Sequence, residues 1–579
     1  MDQNRISILV AGPAGAGIKS IGFLLQKTLQ HSGFNTFGYT EYPSLIRGGH
    51  NTFQVDYSLS KINSSSTKID ILVALDQESV TTHIDSLKKD GVIIIDQSLL
   101  EFVTPSNQQK IISLPIDKTL EDNDIPAIMK NVFEIGVIMA ISDFPMSKLK
   151  KTINWKFGSK GKAIVDANIK AALVGYKLVE GTPNDTKKGL IMPDKIKETL
   201  VLSANEACGL AFIAAGGKFY SAYPMTPATN ILHYLAKHGA SKGILVRQAS
   251  TEIEAIGVAA GASFAGARSM VGTSGGGLDL MAEFMSLLGI CELPLVIIDA
   301  QRVGPATGLP TWQEQSDLNI AKYSAHGEFP RIVVAPGDAE ETYYLLAKSL
   351  DLADKYQLPI IFLTDKHIAE SFFTVNIFKD IDNPDRGKLA NEKQLTKYIN
   401  EYAFPRYKDA ENDGISTRSI PGQKGGIYVC NSDEHTKEGY STENGEIRIQ
   451  QQNKRQRKLE RLTKELPTPI VHSYSSTETV IVGWGSTKGA IMDTQKQLIT
   501  ERIYVDFIQF QYLLPLNYNK ITQLFGRYKN VILVENNSTG QLLNDLKLSD
   551  VNVNHVITKY DGKPFFFEEL VNIIKSKLK

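Results

Sequence analysis

Residues 6–31 read ISILVAGPAGAGIKSIGFLLQKTLQH. Residues 6–11 are apolar or small and predict a buried strand, residues 12–17 form a glycine-rich turn, and residues 18–31 repeat isoleucine and leucine at helical spacing. A strand that turns through glycine into an amphipathic helix is the repeating unit of α/β folds. Short apolar runs and helical patterns keep alternating beyond this point, so the sequence predicts a mostly parallel sheet covered by helices.

The same alternation recurs in three blocks, which predicts three α/β domains. A polar break at residues 180–200, which begins EGTPNDTKK, separates the first two blocks. A polar stretch before the last block predicts an extended connector, and its basic run KRQRK at residues 454–458 predicts one charged helix with a solvated face. The predicted boundaries are 1–185 for the first domain, 200–375 for the second, 376–475 for the connector and 476–579 for the third.

Composition narrows the class of protein. Lys and Arg total 63, as do Asp and Glu, so a net charge of zero gives no electrostatic reason to expect nucleic acid or an anionic membrane as partner. No apolar run reaches the roughly 18 residues of a membrane span, and the first residues lack a signal-peptide core. The 3 cysteines are too few for a four-thiolate iron–sulfur cluster, and no HExxH pattern signals zinc. We therefore predict a cytoplasmic protein without a metal site of its own.

The glycine loop, residues 12–17, is a candidate anion-binding element. Gly12, Gly15 and Gly17 lie between a strand and a helix, where backbone N–H groups can face a phosphate. The spacing does not fit a dinucleotide fingerprint, because Ser20 stands where its third glycine belongs. It does not fit a P-loop either, because one residue intervenes before the lysine. A tight turn without a ligand is the alternative.

A second glycine-containing loop follows the next predicted strand. It reads Arg47-Gly48-Gly49-His50-Asn51. The two glycines would let Arg47 approach an anionic group closely. The alternative is a loop that needs glycine only for a positive φ angle.

Two proline-stiffened loops mark the second domain. YPMTP, residues 223–227, ends a predicted strand and directs the Thr226 hydroxyl beyond the sheet edge, where open α/β sheets bind ligands. QRVGPATGLPT, residues 301–311, carries Arg302, whose guanidinium fork suits a carboxylate, and Thr311 as a further hydroxyl donor. A purely structural ion pair is the alternative for Arg302.

A glutamate opens a predicted helix between these two loops. Glu252 stands in the first turn, and the helix face that follows is built from glycine and alanine. Such a small face admits a flat ring or another backbone. The plainer interpretation is that Glu252 interacts favourably with the helix dipole.

Together these segments resemble the 2-oxoacid:ferredoxin oxidoreductases, and specifically the alpha subunit in which gamma and alpha segments are fused. The resemblance runs in order through the glycine loop, residues 47–51, YPMTP in place of the family's YPITP, and QRVGPATGLPT, and it ends at GWGST and ENNSTGQ, residues 483–487 and 535–541. It implies three α/β domains: a gamma-type domain, a pyrimidine-type thiamine-diphosphate-binding domain and a transketolase C-terminal-like domain.

The resemblance also implies roles for individual residues. Glu252 matches the glutamate that hydrogen-bonds the aminopyrimidine ring of thiamine diphosphate, with Glu254 as the fallback if the register is shifted. Thr226, Arg302 and Thr311 match substrate-binding positions, and Arg302 would clamp the carboxylate of a 2-oxoacid. Glu252, Thr226 and Arg302 would be the catalytic residues. The further implied cofactor contacts are Tyr223, Pro224, Gly12, Gly15, Gly17 and Arg47, the last four near coenzyme A or at a subunit interface.

The family reaction implied is oxidative decarboxylation of a 2-oxoacid to acyl-CoA and CO₂, with electrons passed to ferredoxin. Since the family's G-D-G diphosphate signature is missing from this sequence, thiamine diphosphate and Mg²⁺ would be shared with a beta subunit that also holds a [4Fe–4S] cluster. The best candidate substrate is 2-oxoglutarate, with pyruvate or broad specificity open. Two other functions stay open: a non-catalytic assembly subunit, and a dinucleotide-dependent oxidoreductase with Glu41 as ribose ligand.

Overall fold

The computed structural model describes residues 5–45, 48–104, 108–401 and 403–578. Among these residues the strands form three sheets. The strands of the first block are β1 (Arg5–Pro13), β2 (Asn35–Glu41), β3 (His50–Ser58), β4 (Ile69–Ala74), β5 (Leu87–Asp96) and β6 (Lys110–Leu114). Its helices are α1 (Ile18–His31), α2 (Gln77–His83), α3 (Ile116–Asp122), α4 (Lys130–Ile141), α5 (Met146–Phe157) and α6 (Lys162–Val179).

The middle block follows. Its strands are β7 (Thr199–Leu202), β8 (Phe219–Ala222), β9 (Leu245–Gln248), β10 (Ser269–Thr273), β11 (Leu295–Gln301), β12 (Ile332–Val334), β13 (Pro359–Asp365) and β14 (Phe372–Asn376). Its helices are α7 (Ala204–Ala214), α8 (Thr229–His238), α9 (Glu252–Phe264), α10 (Gly275–Leu280), α11 (Ala282–Ile290), α12 (Leu318–Tyr323), α13 (Ala339–Tyr356), α14 (Lys366–Glu370) and α15 (Glu392–Thr396).

The last block begins with a long charged helix. Its strands are β15 (Ile470–His472), β16 (Thr479–Trp484), β17 (Asp506–Phe510), β18 (Tyr512–Leu514), β19 (Asn530–Glu535) and β20 (His555–Thr558). Its helices are α16 (Gly445–Glu465), α17 (Thr487–Thr500), α18 (Tyr518–Phe525), α19 (Leu543–Leu548) and α20 (Phe567–Lys577). Within the described ranges, no helix combines the length and the apolar character that crossing a membrane requires.

The first sheet is mixed, with the strand order β6-β5-β4-β1-β3-β2-β14-β7. The pairs from β6 to β1 are parallel, whereas β1–β3, β3–β2, β2–β14 and β14–β7 are antiparallel. The prediction of a mostly parallel sheet is therefore wrong for this block. The reason is the short link between β2 and β3, because a parallel crossover needs a dozen or more residues.

The second sheet is parallel apart from one edge strand. Its order is β18-β12-β13-β11-β10-β8-β9, and only β18, which comes from the last block, runs antiparallel to its neighbour β12. The strands β10, β11 and β13 are buried along their whole length. Because the strands are parallel, the loops after β8, β9 and β11 all emerge at one edge, which is where such sheets bind ligands.

The third sheet has the order β15-β17-β16-β19-β20, with parallel pairs except for β15. Together the sheets and their helices confirm the predicted class of three α/β units. The strands β7 and β14, at the two ends of the predicted second domain, nevertheless pair within the first sheet. The exact domain boundaries therefore stay a prediction.

The basic run in α16 does not form a solvated face, and that prediction is wrong. Lys454, Arg455 and Lys458 are buried, with Lys454 and Lys458 fully inaccessible. The Nζ atom of Lys454 lies 2.6 Å from a carboxylate oxygen of Glu292, and Lys458 pairs with the other oxygen. Although burial alone raises it, the two lysines hold the pKa of Glu292 below its usual value. The run is buried because its charge is matched by an acid more than 150 residues away.

Candidate functional site

The two proline-stiffened loops meet at the edge of the second sheet. YPMTP follows β8, and the peptide bond between Thr226 and Pro227 is cis. Arg302 follows β11 directly and is half-buried. Its Nη1 atom donates to the backbone oxygen of Thr226 over 2.8 Å. The structure thus brings together two predicted substrate-binding residues, and it leaves the other guanidinium donors of Arg302 for a ligand.

Buried carboxylates lie behind Arg302. Asp299 in β11 is fully buried, and burial together with Asp317 raises its pKa well above the ordinary value. Burial, with Asp279 and Glu314 nearby, raises the pKa of Asp317 to about 7. Two carboxyl groups this close share a proton instead of ionising together. The pair therefore carries no more than one negative charge near neutral pH, and that charge acts on Arg302.

Thr311 lies near the far end of the same loop. Its side chain is 5% exposed, and its Oγ1 atom has no hydrogen-bond partner among the described residues. A buried hydroxyl without a partner is costly, so it fits a place where a polar ligand binds. Tyr223 is 39% exposed and Pro224 is partly exposed, both at the rim beside Thr226.

Glu252 and Glu254 occupy different environments at the start of α9. Glu252 is 5% exposed. Glu254 accepts hydrogen bonds from the Ser250 backbone and hydroxyl, both over 2.6 Å, and from Arg247 over 2.9 Å. These bonds lower the pKa of Glu254 to about 2. Because Glu254 is already engaged at the surface, the buried Glu252 is the better placed of the two for a cofactor.

A run of glycines in α10 lets the separate loops approach one another. A Cβ atom on Gly277 would lie 2.8 Å from the Cγ atom of Glu252, and one on Gly275 would lie 2.6 Å from the Oδ2 atom of Asp317. Side chains at these positions would collide with both carboxylates. This run was missed in the sequence analysis, although Gly275-Gly276-Gly277 follows the end of β10 after a single residue.

The glycine loop of the first block is held by its own hydrogen bonds. The N–H group of Ala14 donates to Gly49, and that of Ala16 donates to Pro13. Gly15 and Gly17 have φ angles of 92° and 78°, and Gly12, the last residue but one of β1, lies against Leu75. Arg47 lies outside the described residues. An anion-binding role for this loop stays a prediction.

A cavity of about 390 Å³ lies between the first block and the middle block. Lys19 and Tyr42 line it from the first block, and Thr226 and Glu370 line it from the middle block. The hydroxyl of Tyr42 donates to Glu370 over 2.9 Å, which ties the two walls together. The complete lining is Ile18, Lys19, Thr40, Tyr42, Asn51, Thr52, Thr226, Pro227, Thr229, Asn230 and Glu370.

Several of these lining residues were missed in the sequence. The spacing of Lys19 from the glycines does not fit a P-loop, so the sequence does not predict a ligand for it. The lysine nonetheless reaches the cavity, since the helix begins at Ile18 and its first turn lies beside the YPMTP loop. Only the pairing of the two blocks reveals this, because nothing in the spacing of Lys19 and Thr226 indicates that they share a cavity.

Comparison with known families gives matches to two models. Residues 7–178 match "Pyruvate ferredoxin/flavodoxin oxidoreductase", and residues 210–454 match "Pyruvate flavodoxin/ferredoxin oxidoreductase, thiamine diP-bdg". The second match covers YPMTP, Glu252 and the Arg302 loop. The predicted pyrimidine-type domain therefore lies in a segment that a thiamine-diphosphate-binding family describes.

Individual proteins match over the whole chain. The 2-oxoacid:ferredoxin oxidoreductase subunit alpha of a Sulfolobus species is 30% identical, over 98% of this chain and 96% of its own. The 2-oxoglutarate oxidoreductase subunit KorA of Mycobacterium tuberculosis is 27% identical, over 100% and 92%. The solved 2-oxoglutarate:ferredoxin oxidoreductase of Magnetococcus marinus, with 2-oxoglutarate, coenzyme A and succinyl-CoA bound, is 28% identical with a TM-score of 0.91 over 100% of both chains. The predicted family is confirmed: this chain belongs to the alpha subunits of the 2-oxoacid:ferredoxin oxidoreductases.

Proposed function

We propose that this chain supplies the aminopyrimidine-binding half of a thiamine diphosphate site that a beta subunit completes with Mg²⁺ and a [4Fe–4S] cluster. The assembled enzyme would decarboxylate a 2-oxoacid oxidatively and pass the acyl group to coenzyme A and the electrons to ferredoxin. The observation that carries the proposal is the 2.8 Å bond from Arg302 to Thr226, because it holds a half-buried guanidinium against a residue that lines the cavity.

The residues of this chain fit the aminopyrimidine ring. A buried carboxylate beside a glycine is what such a flat polar ring needs, and Glu252 lies against Gly277. Thiamine diphosphate, when bound, supplies the carbanion chemistry of decarboxylation, which side chains do not provide. Glu252 would hold a proton at a ring nitrogen and fix the orientation of the ring.

Arg302, Thr226 and Thr311 would bind the substrate. The donors of Arg302 that Thr226 does not use would take the carboxylate of the 2-oxoacid in a two-bond clamp. The unpartnered Oγ1 atom of Thr311 would donate to a second substrate oxygen. The shared charge of Asp299 and Asp317 stabilises the guanidinium in a site that burial otherwise makes costly for a cation.

The 390 Å³ cavity would receive the pantetheine arm of coenzyme A. It runs from Thr226 to Lys19, whose ammonium group can pair with a phosphate. The relative from Magnetococcus marinus binds coenzyme A and 2-oxoglutarate. That match and the alpha subunits named for 2-oxoglutarate support 2-oxoglutarate as the first substrate to test.

The dinucleotide alternative loses support from the position of Glu41. Its Oε1 atom accepts from the hydroxyl of Tyr39 over 3.0 Å, and its Oε2 atom lies 3.6 Å from the Nζ atom of Lys563. A carboxylate with these partners is not open to a ribose.

We further propose a cytoplasmic location, supported by the free state of Cys208, Cys291 and Cys430, which suits a reducing compartment.

The test is the complex of this chain with its beta subunit, purified without oxygen. Reduction of a viologen dye would be measured with and without coenzyme A, using 2-oxoglutarate and pyruvate separately. We expect coenzyme A-dependent reduction with 2-oxoglutarate. Reduction with pyruvate alone would overturn the substrate choice. A complex that contains thiamine diphosphate and iron but reduces no dye with either acid would support an assembly subunit instead.

A further inference from the structure

Two histidines face each other beside the glycine loop. The Nε2 atoms of His50 and His83 lie 2.8 Å apart, and the two rings are stacked with their centroids 5.0 Å apart. His50 begins β3, opposite Pro13 of the glycine loop, and His83 ends α2. One of the two Nε2 atoms must carry the proton for this contact to be a hydrogen bond.

That contact leaves the other ring nitrogen of His50 without a partner. The Nδ1 atom of His50 is inaccessible to solvent and makes no hydrogen bond among the described residues. A buried imidazole nitrogen with no partner costs free energy, whichever tautomer is present. Nδ1 is therefore the atom of His50 that is open to a ligand.

Two carboxylates lie next to His50. A ring nitrogen of His50 and one carboxylate oxygen each of Asp76 and Glu78 all lie within 4.8 Å of one another. Asp76 caps α2 by accepting from the Ser79 backbone over 2.8 Å and from its hydroxyl over 2.5 Å. Both bonds end on Oδ1, so the lone pairs of Oδ2 remain open to a cation. Glu78 is exposed and its side chain can turn toward the group.

We infer that His50, Asp76 and Glu78 bind a divalent first-row transition-metal cation, with His83 as the residue that orients His50. Imidazole combined with carboxylates favours ions such as Zn²⁺ or Mn²⁺ over Mg²⁺ and Ca²⁺. A ligating histidine usually gives its other N–H group to an acceptor that fixes its orientation, and His83 takes that place. Water would complete the coordination.

The geometry needs only a small adjustment. Ligand atoms around tetrahedral zinc are about 3.3 Å apart when the bonds are about 2.0 Å long. The present group spans up to 4.8 Å, and its exposed member, Glu78, has the freedom to close the gap. The bound ion would join the start of β3 to the start of α2. It would thereby stiffen the segment whose Gly49 oxygen holds the glycine loop. This inference is independent of the proposed catalytic function.

The test uses the full chain after removal of metals with a chelator. Zn²⁺ binding would be measured by competition with a chromophoric chelator, with Mg²⁺ as comparison, and bound metal would be counted by mass spectrometry after dialysis. We expect one equivalent of Zn²⁺ and a melting temperature that rises with Zn²⁺ but not with Mg²⁺.

Single-residue variants test whether Zn²⁺ binds at this site or at other groups of the protein. His50→Gln should weaken Zn²⁺ binding by at least about a hundredfold, and His83→Gln by about 10–100-fold. Glu78→Gln should also weaken it, and because Glu78 is exposed this variant is expected to fold normally. His233→Gln, on the exposed side of α8, is the matched control and should bind as the parent does. Sub-stoichiometric binding by the parent, or unchanged affinity in both His50→Gln and Glu78→Gln, would overturn the inference.

Discussion

The Nη1 atom of Arg302 donates to the backbone oxygen of Thr226 over 2.8 Å, which joins two loops that are 76 residues apart in the sequence. The bond orients the guanidinium without using a side-chain acceptor. The other guanidinium donors of Arg302 make no hydrogen bond that involves the described residues' side chains or backbone, so they are available for a ligand. This single contact gives the sharpest prediction about substrate binding.

Arg302→Lys should raise the KM for the 2-oxoacid about 10–100-fold in the complex with the beta subunit, with a smaller change in kcat. A lysine keeps the charge but cannot make two parallel bonds to a carboxylate, and a lost charged hydrogen bond is worth about 1.5–3 kcal/mol. Steady-state viologen reduction measures both constants. The control is Arg247→Lys, whose partner Glu254 lies at the surface and whose kinetics should match the parent. An unchanged KM in Arg302→Lys would remove Arg302 from the substrate site.

Glu252→Gln should lower kcat by about 10²–10⁴-fold, because an amide cannot exchange a proton with a ring nitrogen as a carboxylate does. The matched control is Glu254→Gln. It removes a surface carboxylate that is already hydrogen-bonded to Ser250 and Arg247, and it should leave kcat within a factor of a few of the parent value. The measurement is dye reduction at saturating thiamine diphosphate, with cofactor affinity determined by calorimetry. A larger loss of kcat in Glu254→Gln than in Glu252→Gln would show that the register is shifted and that Glu254 binds the cofactor.

The buried side chain of Glu134 in α4 should make the stability of the folded protein depend on pH. It is 3% exposed, and neither carboxylate oxygen has a hydrogen-bond partner among the described residues. Burial raises its pKa from 4.5 to about 8, only partly offset by Lys130. Since the folded pKa lies above the unfolded one, the folded protein loses stability as the pH rises from about 4.5 to about 8.

Glu134→Gln should therefore be more stable than the parent at pH 8.5, by a few kcal/mol, and equally stable at pH 4.5. Urea unfolding of both proteins across this range measures the difference, and subtraction removes the titration of all other groups. A constant difference at every pH would mean that Glu134 keeps its ordinary pKa in the folded state.

Glu292→Gln should destabilise the protein by about 3–5 kcal/mol, because it leaves the buried Lys454 and Lys458 without a counter-charge. Urea unfolding at pH 7.5 is the measurement. The control is Glu478→Gln, which removes an exposed acid paired with Lys529 and should cost less than about 1 kcal/mol. Equal effects of the two variants would show that the buried cluster contributes no more than a surface pair.

The sequence alone was sufficient for the local units and for the family. The helix predicted over residues 18–31 has the observed bounds. YPMTP and QRVGPATGLPT identified the loops that carry Thr226, Arg302 and Thr311. These features can be predicted because the hydrophobic period, glycine, proline and motif spacing act over a few residues along the chain.

Only the tertiary structure decided the pairings across the chain. Three features depend on contacts between segments that are distant in the sequence. They are the antiparallel pairing of β3, the pairing of β7 and β14 within the first sheet, and the cavity between Lys19 and Thr226. The buried lysines of α16 show the same limit, since a basic run is polar by composition and is buried only where a distant acid neutralises it. Likewise, His50 and His83 have no motif spacing, and the fold alone brings their nitrogens together. The sequence sets which residues can pair, and packing sets which of them do.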